Sequence, residues 1–144
     1  MANGFDVDQN ADALSVEDEG AIAEIMDAQG DPVFDASGKP VTVLVAGEYS
    51  AKYRKAEEWQ RKTLMRQRGK EQTGKESLAM QAEFVARCCL SWSGFTQAGS
   101  PLEFSITNAT MVFTRLPYVR KRVESAMSDH TAFFAKGSTS SVSM

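Results

Sequence analysis

The sequence is poor in the residues from which catalytic and metal centres are built: 144 positions hold one histidine, His130, and two cysteines, Cys88 and Cys89. His130 has no companion in an H-x-x-E or E-x-x-H arrangement. No C-x-x-C, G-x-x-x-x-G-K-[ST] or G-x-G-x-x-G pattern occurs either, so the usual marks of a zinc site, a phosphate loop and a dinucleotide fold are missing. The two cysteines are adjacent, and a bond between them would be strained and close no loop, which points to a reducing compartment. On a helix they would point about 100° apart, one into the core and the other half-exposed. Long apolar runs are lacking: none approaches the roughly 20 residues of a membrane helix. The first stretch is acidic and polar, so no export signal is expected.

Basic residues are absent from positions 1 to 38, which carry ten acidic side chains, whereas residues 51 to 75 carry nine basic and three acidic ones. The acidic side chains cluster where nothing would fix them for acid–base work. The reading is therefore a non-catalytic protein without cofactor or metal. The charge dipole suits a complementary protein, a nucleic acid or another copy of the chain. Tyr53 and Trp59 lie among the basic residues as on a strand-tracking surface. Their helical phase is that of an inner face, however, and Glu57 and Glu58 interrupt the charge, so binding of nucleic acid is not expected.

Residues 1–18 have no sustained apolar period and read as a flexible acidic arm. Residues 19–136 form one expected domain of class α+β, a size that closes one modest core. Within it, 19–48 reads as a β-hairpin. Ala21 to Asp27 is its first arm, although Ala, Glu and Met would suit a helix equally. Val41, Val43 and Val45 alternate on one side of the second. Residues 49–136 read as a mainly α-helical bundle of about four helices. The first is capped by Ser50 and stopped by Gly69, with Tyr53, Ala56, Trp59 and Thr63 inward. The second runs from Glu76 to about Trp92. After a loop containing Phe95, Leu102 and Phe104, a short helix spans about Thr107 to Thr114, and the last runs from Pro117 to about Phe134. Residues 137–144, with four serines, read as a flexible tail. No internal repeat is expected.

The order of features in PVTVLVAGEYSAKYRKA and in LSWSGFTQAGSPLEFSITNATMVFTRLPYVRKRVESAMSDHTAFF resembles the phage tail assembly chaperones of long-tailed phages. The match falls on Trp92, Gly94, Gly99, Pro101, Leu102, Phe104, Asn108, Pro117, Val119 and Phe133 or Phe134, within residues 20–136. The resemblance implies a cytoplasmic adaptor, absent from the finished virion, that binds the tape measure protein, keeps it soluble and helps bring tail tube subunits to it. It also implies that a longer, frameshifted form accompanies many members. Physically, a partner with long apolar helical stripes needs an apolar groove with a charged rim. Trp92, Phe95, Leu102, Phe104, Met111 and Phe113 are the candidate partner-binding residues. Self-association through the acidic arm, the hairpin edge or the basic helix is a further expectation. The alternative reading is a structural virion component such as a tail tube, terminator or completion protein.

Overall fold

Polar side chains cap most of the helices and so set where they begin. The structure, a computed structural model, describes residues 4–9 and 12–134; the expected tail at 137–144 lies outside them. Asp12 accepts from the Leu14 N–H at 3.0 Å and starts α1, Ala13–Glu19. Ser50 Oγ accepts from the Tyr53 N–H at 3.0 Å and starts α2, Ala51–Arg66. Thr73 and Glu76 form a reciprocal capping box at the head of α3, Gly74–Cys88. Ser105 caps α4, Ile106–Arg115, through the Asn108 N–H at 2.9 Å. Pro117 opens α5, Pro117–Ser128, where its missing N–H has no helical partner to lose.

Three antiparallel strands, in spatial order β1-β2-β3, complete the mixed architecture: β1 is Ala21–Glu24, β2 Thr42–Val45 and β3 Cys89–Ser93. The α+β class expected from sequence is therefore present, but its detailed arrangement needs correction. The two N-terminal strands do pair, from Ala21 opposite Val45 to Glu24 opposite Thr42. They are not an isolated hairpin, because β3 adds to the free side of β2 with Val43 opposite Trp92 and Val45 opposite Cys89. The expected second helix consequently ends at Cys88 rather than Trp92. Cys89 is extended (φ −82°, ψ 148°), and the backbone beyond it pairs with β2. Both cysteines are buried and free, where one half-exposed thiol was expected.

The acidic arm is corrected as well, since residues 13–19 are helical. Two carboxylates anchor α1 over long sequence distances. Glu17 is 0% exposed, and Asp18 Oδ1 accepts from the Ala51 N–H at 2.8 Å. The last expected helix breaks at Asp129, and residues 130–134 are again helical.

Between β1 and β2 the chain makes the same turn twice, which corrects the expectation of no repeat: DAQGDPV spans 27–33 and DASGKPV spans 35–41. Asp27 Oδ1 accepts from the Gln29 and Asp31 amides at 3.0 and 2.9 Å, and Asp35 Oδ1 from the Ser37 and Lys39 amides at 2.9 and 3.0 Å. Gly30 and Gly38 take φ of 88° and 84°, where a side chain is strained. A ring of three backbone bonds closes the unit. Ile25 N–H donates to Val41 O at 2.9 Å, Val41 N–H to Val33 O at 2.9 Å, and Val33 N–H to Ile25 O at 3.2 Å.

The core lies where α3, α4 and α5 meet the sheet. Val43, Val45, Val85, Cys88, Phe113 and Val123 each have 0–1% exposure there. Burying a side chain of this kind contributes about 1.5–3 kcal/mol.

Candidate partner-binding surface

The chain leaving β3 turns at Gly94 (φ 93°), where an added Cβ would sit 2.9 Å from Val41 Cγ2. It then forms a small hairpin of β4, Thr96–Gln97, and β5, Ser100–Pro101, through Ala98 and Gly99, both at positive φ. This hairpin folds the aromatic residues of the segment onto each other. The Phe95 ring stacks on Trp92 at 4.2 Å and 20°, and Phe104 meets Trp92 edge-on at 5.4 Å and 84°. Trp92 Nε1–H donates to the Leu102 carbonyl at 2.8 Å, and the Leu102 N–H donates to the Phe95 carbonyl at 2.9 Å. Each ring thus has a defined geometry with its polar group satisfied.

Five of the six candidate residues, Trp92, Phe95, Leu102, Phe104 and Met111, are partly buried and pack on the margin of the core. Phe95, Leu102 and Met111 line an open groove of about 260 Å³ together with Leu116, with Gln97 and Arg115 supplying polar groups. Arg115 Nη1 lies 3.8 Å from Met111 Sδ at its edge. Phe113 is the exception and is corrected: at 0% exposure it is a core residue. The α4 helix turns it inward beside Val112 and Ala109, also buried, while Met111 faces the groove.

A second cluster, which the sequence reading missed, ties α1 to the residues after α5. Glu17 Oε1 accepts from the Tyr49 N–H at 2.9 Å, and Glu17 Oε2 lies 2.6 Å from His130 Nδ1. His130 Nε2 lies 3.3 Å from Glu48 Oε1, and its ring stacks on Tyr49 at 4.2 Å. Glu48 also accepts from the Ser128 hydroxyl at 3.0 Å. Both ring nitrogens face carboxylates, an arrangement that only the doubly protonated imidazolium satisfies as a donor twice. The hydrogen bond to Glu17 raises the His130 pKa against the opposing effect of burial, and the charges of Glu17 and Glu48 raise it further. Gly47 passes so close that a Cβ there would collide with Glu17 Oε1.

Among the described residues no group of three or more His, Cys, Asp or Glu could hold a metal ion, and no helix is long and apolar enough to cross a membrane. No protein-family model matches the chain, and no curated protein or solved structure matches it.

Proposed function

We propose that this protein is a non-catalytic tail assembly chaperone of the phage type, acting in the host cytoplasm on the tape measure protein. The observation that carries the reading is the groove beside the Trp92 platform. An apolar floor of Phe95, Leu102 and Met111 lies partly exposed beside the β4–β5 hairpin, with Gln97 and Arg115 next to it. A groove of this chemistry takes the apolar stripe of an amphipathic helix, and a methionine in its wall adapts to successive registers of a long repetitive partner. The resemblance of residues 20–136 to the chaperone family adds the partner's identity and an accompanying role toward tail tube subunits.

Co-expression with the tape measure protein of the same genome tests the reading. The expected result is a soluble complex recovered at stoichiometric levels. A tape measure protein that stays insoluble and unbound, with this chain present in purified particles, would overturn it in favour of a structural virion component.

A further inference from the structure

The outer side of α2 carries a second apolar surface, away from the Trp92 platform. Leu64 and Met65 are 47% and 62% exposed. They border an open hollow of about 680 Å³ that Glu57, Gln60, Arg61 and Arg68 also line, two guanidinium groups against one carboxylate, so that its rim is net basic. At 100° per residue this side lies opposite Ala56, Trp59 and Thr63; Trp59 and Thr63 line the seam against α3. Large apolar groups in water next to guanidinium groups suit an occupant that brings apolar side chains flanked by carboxylates.

The chain itself contains such an occupant. Phe5 and Val7 are 79% and 77% exposed, and they alternate with Asp6 and Asp8 in a stretch that precedes the first basic residue, Lys39. Within one molecule the side chains of Phe5, Val7, Leu64 and Met65 are all left largely in water.

We propose that the Leu64–Met65 face of α2 docks the Phe5–Asp8 segment of a second copy of this chain, Phe5 and Val7 covering the apolar side chains and Asp8 meeting the net basic rim at Arg61 and Arg68. The charge dipole favours this pairing: ten acidic side chains and no basic ones lie in residues 1–38, against nine basic and three acidic in residues 51–75. Two different patches meet, so the contact is head-to-tail and repeats from copy to copy. The inference does not rest on the chaperone reading.

The test is sedimentation equilibrium of the full chain over a concentration series, with the double variants Phe5→Asp/Val7→Asp and Leu64→Asp/Met65→Asp. All four residues are exposed, so circular dichroism should show each variant folded. The wild type is expected to associate, and each double variant to do so at least about tenfold more weakly. Each variant keeps the patch the other has lost, so an equimolar mixture should form a heterodimer that grows no further. A wild type that stays monomeric overturns the proposal, as does association that neither variant weakens. Weakening by the α2 variant alone would assign the face to another occupant. If the Phe5/Val7 variant lowers only the melting temperature of a monomer, the segment docks on its own copy. Loss of tape measure binding with self-association intact would count against the chaperone reading alone.

Discussion

His130 Nδ1 lies 2.6 Å from the carboxylate of Glu17, a residue with no exposed surface that stands 113 positions earlier in the chain. The contact joins α1 to the residues after α5, and it makes the fold's stability depend on the protonation of one imidazole. The Glu17 hydrogen bond holds the His130 pKa above its ordinary 6.5. A group with a raised folded-state pKa contributes stability that is fully present below the unfolded value and is lost as pH rises through the folded one. Urea midpoints should therefore decline as pH climbs from about 6 through the raised His130 pKa. His130→Gln should remove that part of the decline. Parallel profiles for wild type and variant would assign the titration to another group.

Gly47 is needed by the same cluster for lack of a side chain. Its Cβ would meet Glu17 Oε1 and lie 2.6 Å from Glu17 Cδ and 2.9 Å from Glu17 Cβ. Gly47→Ala should cost about 1–3 kcal/mol in chemical denaturation, the usual penalty for inserting a carbon into a filled site. In a Glu17→Ala background the carboxylate contacts are gone and only the Cβ contact remains, so the same substitution should cost measurably less. A strictly additive double variant would show that the two residues do not compete for this space.

How much of this was legible in the sequence depended on how local each signal was. Ser50, Pro117 and the alternation of Val41, Val43 and Val45 act within a few residues, and the elements they mark are present. Val85, Cys89 and Trp92 keep helical spacing beyond the true end of α3, because the pairing that pulls Cys89 into a strand comes from Val45, far away in the chain. Glu17 had the least visible role. An acid in a polar stretch reads as solvated, and only the fold brings Tyr49 and His130 to its two oxygens. The repeated DAxGxPV turns at 27–33 and 35–41 were legible as plain text, but the unit is far shorter than the repeats of tens of residues that build repeat architectures. Of the candidate surface, composition identified the aromatic residues, but it could not separate Phe113, turned inward, from Met111 two residues earlier.

The adjacent cysteines should be chemically silent in the native protein. Burial pushes the Cys88 thiol up to about 12, and burial raises Cys89 as well. The thiolate is the reactive form. A thiol reagent at pH 8 should therefore modify neither until denaturant is added, when both react. Rapid labelling of the folded protein would place at least one thiol in solvent and contradict the buried end of α3.

The groove and the core beneath it should separate under mutation, because Phe113 is fully enclosed while Phe95 and Phe104 are only partly so. Phe113→Ala removes a whole ring from a closed site and should cost about 3–5 kcal/mol, read as a large drop in melting temperature. Phe95→Asp and Phe104→Asp place a carboxylate where the side chain still reaches water. Circular dichroism should show both folded, while copurification with the tape measure protein falls by at least about tenfold, the loss expected when an interface anchor is removed. Trp92 is the internal control, since it stacks on Phe95 and meets Phe104. Its fluorescence should shift in both variants and report that the platform opened without the domain unfolding. If both variants unfold instead, these rings belong to the core with Phe113, and the proposed partner site must be sought elsewhere on the surface. If both stay folded and bind at full strength, the platform is a structural prop and the groove is not the site.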